Sequence, residues 1–222
     1  MSSTSSKKIL LLQSLIKANN AILQQKLTLL DILHTKHGVD QTSKLFTQIC
    51  PILQASIGQH YRHSMDHIEL AALTAASSTF HKEKTNDIAV VPTLRYDLRV
   101  RGGMLEKDVI ETKKRICSVM DIFYDLETNH KDHSNSNNDD DEEEDNIIAS
   151  INVNASFMLS SDGNEMELKS TIGRELGFCA HHAIHHMAMV KIIATQTLGV
   201  DVNELPMDFG KAPSTVNFEK QN

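Results

Sequence analysis

Between residues 8 and 34, leucine and isoleucine recur at three- and four-residue steps (Leu11, Leu15, Ile22, Leu29, Leu33) with no Pro or Gly. That spacing puts apolar side chains on one face of a helix. The segment His34-Thr-Lys-His-Gly38 supplies a terminator, because glycine readily takes the left-handed turn that ends a helix. After a connecting stretch that carries Pro51, Ser56-Ile-Gly-Gln59 has the S-x-x-Q spacing of a capping box and predicts a second helix from about Ile57 to Ala76. Periodicity then lapses from Ser77 to Gly103, a stretch with Pro92 and YDLRVRGG, which reads as a long ordered loop. A third helix is expected from near Met104 to about Leu126, with Val109, Ile116, Met120 and Phe123 inward.

The next segment, KDHSNSNNDDDEEEDN (131 to 146), has no apolar surface to bury and repels itself, so a disordered, solvated insertion is expected. From Ile147 to Ser170 the pattern changes: INVNASFML and EMELKS alternate around the turn signal SDGN, as a small β-hairpin does. A fourth helix, about Thr171 to Leu198, should stop at Gly199. The tail after it holds two of the four prolines and is expected to pack across the helices as irregular chain. These elements imply a mainly α fold, with helices packed on helices and a β-hairpin before the last one, in a single domain over residues 1–222.

Composition supports this reading. Aromatic residues make up 5% of the chain and Trp is absent, which argues against an all-β sandwich. The formal net charge of -7 comes from the run Asp139 to Asp145; without it the body is near neutral and offers no basic face to nucleic acid. Cys50, Cys117 and Cys179 stand far apart within apolar stretches, unlike a disulfide framework or a CxxC knuckle, and are expected as buried thiols. Gln13, Ser14 and Lys17 interrupt the short apolar run near the start, so no signal peptide or membrane span is expected, and the cytoplasm is the expected compartment.

The histidines change the picture. Of twelve, seven fall in two helical segments: His60, His63 and His67 in GQHYRHSMDHIE, and His181, His182, His185 and His186 in FCAHHAIHHMAM. Residues four apart share a helix face and can turn two imidazoles toward one ion. In the fourth helix Leu176, Cys179, Ala183, Met187 and Val190 form the apolar stripe. His182 and His186 border that stripe, whereas His181 and His185 lie farther round. In the second helix Ile57, Tyr61, Met65, Ile68 and Ala72 form the stripe, and a third ligand is expected from His60, His63 or His67. Three neutral imidazoles with one open position are the ligand pattern of catalytic metal sites. An H-E-x-x-H zincin is excluded, because Ala183 stands where its glutamate would be.

At these residues the chain resembles the DinB-like family of four-helix bundles, with His63-Ser-Met-Asp66 matching an H-x-x-D motif and His182-Ala-Ile-His185-His186 an H-x-x-x-H motif. The segments SIGQHYRHSMDH, YDLRVRGG, TIGRELGF and DFGKAPST resemble, in order, the motifs of a bacterial branch, over about residues 8 to 218; the acidic insertion departs from it. The resemblance implies a DinB-like four-helix bundle with His63, His182 and His186 as ligands of a divalent ion (zinc, nickel or iron), metal-dependent thiol S-transfer or hydrolysis, and a small-molecule partner such as a thiol.

The alternatives are a non-catalytic scaffold, as a homodimer, whose histidines hold a structural ion or one another, and a partner-binding module with the acidic tract as bait for a basic protein. Asp66 is expected either to orient a ligand histidine or to be an ordinary surface acid. Arg99 and Arg101 are expected to fix their loop, through Glu106 among others, rather than to receive an anion. Arg174 and Glu175 are expected to charge the start of the fourth helix, and Cys179 to be a buried thiol rather than a soft ligand.

Overall fold

The computed structural model describes residues 11–81, 91–98, 102–128 and 148–221. The acidic insertion, Arg99 and Arg101 lie outside these residues. The first helix, α1 (Leu11–Thr47), is one helical run with a kink at Gly38. Gly38 has φ 74° and ψ 172°, so it ends the first regular stretch where the sequence predicts. The chain then resumes helix as far as Thr47, where only a connection was expected. Helix α2 (Ile57–His81) starts on the predicted capping box: Gln59 N donates to Ser56 Oγ at 3.2 Å and Ser56 N to Gln59 Oε1 at 3.0 Å. It runs five residues past the expected end.

Helix α3 (Val109–Thr128) follows a 3-10 turn, Met104–Glu106, rather than starting there. Asp108 Oδ1 caps it by accepting from Ile110 N at 2.8 Å and Glu111 N at 3.1 Å, a side-chain oxygen satisfying amides that have no partner within the helix. Helix α4 (Ile172–Ile192) is capped by Thr171, whose hydroxyl accepts from Arg174 N. It continues into a π-helical turn, Ile193–Thr197, and Gly199 takes φ 69° at the predicted stop. A short helix, α5 (Pro213–Glu219), lies in the tail expected to be irregular; Pro213 starts it, where a missing N–H does no harm.

The helices neighbour one another in a cycle: α1 packs on α3 and α4, and α2 packs on those same two. Each predicted apolar stripe faces this centre. Ile57, Tyr61, Met65, Ile68 and Ala72 of α2 are buried, as are Leu176, Cys179, Ala183, Met187 and Val190 of α4. Cys50 is buried too, but Cys117 is exposed; the expectation of three buried thiols fails there because Cys117 follows the core residue Ile116 on the outward side of α3.

The expected hairpin is present as β2 (Asn152–Met158) and β3 (Glu165–Thr171), antiparallel, with Asn152 opposite Thr171 and Met158 opposite Glu165. A third strand, β1 (Thr93–Arg95), pairs parallel with β2, Thr93 opposite Asn154. It falls in the stretch expected to be loop: three residues after Pro92 are too few to show an alternation. The strand carries the chain into Tyr96, whose amide donates to Ser156 O at 3.1 Å, and so sets that ring against α4.

Two glycines explain close approaches. A Cβ on Gly58 would meet Glu106 O at 2.1 Å, and one on Gly210 would meet Met187 O at 2.6 Å. The first lets α2 touch the turn before α3. The second lets the DFGKAPST segment lie on α4, where Phe209 is fully buried and Gly210 N donates to Gln25 Oε1 of α1 at 3.0 Å. Among the described residues, no helix is long and apolar enough to cross a membrane.

Candidate metal centre

The faces of α2 and α4 that meet carry histidines at helical spacing. His63 and His67 lie one turn apart on α2, and His182 and His186 one turn apart on α4. The Nε2 atoms of His63 and His182 are 3.1 Å apart, and those of His182 and His186 are 3.2 Å apart. The three predicted ligands therefore meet. A ring nitrogen of His67 joins as well: His63, His67 and His182 each offer one within 4.8 Å of the others. The cluster thus contains two overlapping triads that share His63 and His182, one completed by His186 and one by His67. His182 Nε2 makes the short contact in both directions, and the His67 triad is the set whose nitrogens all lie within 4.8 Å of one another. His181 and His185 are exposed, as the helical projection indicates.

The contacts fit a cation better than they fit hydrogen bonds alone. An imidazole nitrogen has either one proton or one lone pair in the ring plane, and His182 Nε2 faces two other ring nitrogens. Donors on a tetrahedral ion with bonds of about 2.0–2.1 Å would stand roughly 3.3–3.4 Å apart, close to the separations of His182 from His63 and from His186. Imidazole ligands suit zinc, nickel and iron alike.

The surroundings keep the lone pairs available. Burial is the main cause that pushes His186 down to about 2, and the charges of His63, His182, His60 and Lys26 add to it. Burial likewise holds His60 at about 4, with help from Lys26 and His185. Both rings are neutral at neutral pH, the form a metal ion requires. Lys26 lies beneath them, fully buried, and burial brings its ammonium down to about 7.

Aromatic rings close the opposite end. Phe178 stacks on His182 with centroids 5.6 Å apart and planes at 18°, and Tyr96 stacks on His67 at 4.6 Å and 13°. The Tyr96 hydroxyl donates to Glu175 Oε2 at 2.7 Å. Glu175 is fully buried, and its other oxygen accepts from Ser170 Oγ and from Arg174 Nη1. Burial drives the Tyr96 phenol well above its ordinary range. Cys179 is pushed up to about 12 by burial and donates its S–H to His67 O at 3.2 Å, which makes it a structural thiol and not a soft ligand.

On the open side His60, His63 and His186 line a recess of about 470 Å³ together with Gln59, Arg62 and Glu106. Arg62 pairs with Glu106 (Nε to Oε1, 2.5 Å) and Asp66 (Nη1 to Oδ2, 2.9 Å). Asp66 also receives Arg115 Nη2 at 2.9 Å, and Arg115 bonds Glu69 as well. Of these, Arg62 and Glu106 line the recess, one charge of each sign.

No protein-family model matches the chain, and no solved structure matches it. It is similar to FK506-binding protein 5 of Rhizopus delemar, with 32% identity over 170 residues; the match covers 76% of this chain and 38% of that protein. The chain thus spans well under half the length of the relative.

Two expectations change with the geometry. Asp66 is not a plain surface acid: both its oxygens serve arginines. Glu106 holds Arg62 and accepts from Gly102 N at 3.1 Å, while its expected partners Arg99 and Arg101 lie outside the described residues. Glu175 does not merely charge a helix start; it is the buried anchor of Tyr96. Its position four before Cys179, on the apolar stripe, was the available signal. Lys26 carried a similar one, four residues from Ile22 and from Leu30 on the inward face of α1.

Proposed function

We propose that this protein is a DinB-like four-helix bundle whose His63, His182 and His186 bind a divalent ion, and that it acts as a metalloenzyme of thiol-transfer or hydrolase type on a small molecule in the cytoplasm. The observation that carries this reading is the pair of Nε2 contacts that His182 makes, to His63 of the facing helix and to His186 of its own, beside a recess. A divalent ion held there supplies Lewis acidity that brings the pKa of a water or thiol toward neutrality. The chain's own residues do the rest. Burial keeps His60 and His186 neutral, Phe178 and Tyr96 shut water out at the far end, and the Arg62–Glu106 pair shapes the mouth without leaving a net charge on it.

A second reading is favoured by His67. A fourth ring nitrogen beside His63 and His182 would complete a tetrahedral set and leave no position for a substrate, the mark of a structural site. The protein would then be a helical scaffold, working as a homodimer.

Elemental analysis of the wild type and of His182→Ala, both grown without added metal, tests the site. Near-stoichiometric metal that vanishes in the variant is the expected result; none in the wild type even after reconstitution makes the cluster a polar core network. The visible spectrum of the cobalt-loaded protein then separates the two readings. A small thiol shifts it if a position is open and leaves it unchanged if four imidazoles fill the site.

A further inference from the structure

Nδ1 of His60 lies 2.9 Å from Nδ1 of His186, in a buried contact. His186 meets His182 through its other nitrogen, Nε2. For Nε2 to offer a lone pair to an ion, the single proton of the neutral ring must sit on Nδ1. That N–H then points at His60 Nδ1, which can accept it only if His60 carries its own proton on Nε2. Both residues are 8% exposed and the contact between their rings is buried. From this geometry we infer that His60 is a positioning residue: it accepts the Nδ1–H of His186 and thereby fixes the tautomer and ring plane in which His186 Nε2 faces the ion. The inference rests on the three-histidine reading above.

The backbone supports the arrangement. His60 is one turn from Ser64, whose hydroxyl donates to His60 O at 2.8 Å while accepting from Lys26 Nζ at 2.6 Å. His60 N donates to Ser56 O at 3.2 Å within the capped first turn of α2. The ring therefore hangs from a well-anchored turn. Outer partners of ligand histidines do this work in metal proteins generally, and removing one weakens metal binding about 10–100-fold. Nδ1 of histidine and Oδ1 of asparagine occupy the same place on their side chains, next to Cγ. Asparagine can thus replace the acceptor without the ring, and leucine cannot.

The test compares the wild type, His60→Leu and His60→Asn for zinc affinity by chelator competition, and for the His186 ring proton by NMR of the histidine-labelled, zinc-loaded proteins. The expected result is a roughly 10–100-fold loss of affinity in His60→Leu, with recovery of most of it in His60→Asn. The slowly exchanging Nδ1–H signal of His186 should be seen in the wild type and in His60→Asn, and broadened by exchange in His60→Leu. If folded His60→Leu binds zinc within about twofold of the wild type, His60 has no such role while the site itself stands. Should His60→Leu not fold, His60→Asn decides alone: retained affinity with the protected proton supports the role, and lost affinity overturns it. A wild type that binds no zinc, cobalt or nickel overturns the site and this inference with it.

Discussion

The ammonium of Lys26 donates to Ser64 Oγ at 2.6 Å, with Lys26 fully buried and its Nζ 4.3 Å from the centre of the Tyr61 ring. No carboxylate pairs with it in the salt bridges of the described residues. Its pKa falls from 10.5 to about 7 on folding, so between these values the unfolded chain binds the extra proton and stability rises with pH. Lys26→Met removes the buried charge. It should stabilise the metal-free protein by about 1–4 kcal/mol at pH 6, the range seen when buried ionic groups give way to apolar ones. It should also flatten the rise in stability from pH 7 to 10, as read by urea unfolding.

His60 and His186 shift in the same direction, from 6.5 to about 4 and about 2. Each therefore contributes stability above pH 6.5 that is lost as pH falls below it, because the unfolded chain is protonated first. Urea midpoints of the metal-free protein should drop between pH 7 and pH 5, and the drop should be smaller in His60→Asn, which does not titrate. An equal drop in both would remove His60 as a source of the acid sensitivity.

Metal binding should follow the shared members of the two triads. Substitution of His63 or His182 by alanine should cost more affinity than the roughly 10–100-fold expected for an outer partner. His181→Ala and His185→Ala, at exposed positions, should bind as the wild type does. His186→Ala against His67→Ala then ranks the third ligand, and the proposed His63–His182–His186 set predicts the larger loss in His186→Ala. Isothermal titration with zinc reads all six.

Tyr96→Phe keeps the ring stacked on His67 but leaves the buried Glu175 without one donor. A loss of about 1–3 kcal/mol is expected, with zinc affinity little changed. A large affinity loss with unchanged stability would instead mean that the hydroxyl acts on the metal cluster and not on the fold.

Gly58→Ala drives a methyl into Glu106 O at 2.1 Å and toward Phe46. The turn at Met104–Glu106 has to move, and with it the Glu106 partner of Arg62. Overpacking of this kind costs about 1–3 kcal/mol, and thermal unfolding should show it in the metal-free and metal-loaded protein alike.

By itself, the sequence determined whatever depends on local order. The apolar stripes of α2 and α4 lie where helical period puts them, the Ser56–Gln59 capping box starts α2, and the glycines at 38 and 199 stop helices because φ near +70° suits them. The pairing of His182 with His186 was legible for the same reason: a four-residue step is a property of one helix. Only the tertiary structure decided the rest, since contacts between distant segments leave no period in the chain. It brought His60 Nδ1 onto His186 and His67 into reach of His182. It turned a three-residue segment after Pro92 into a strand that carries Tyr96 to Glu175. It buried Lys26 under the histidines, where desolvation rather than sequence neighbours sets its charge.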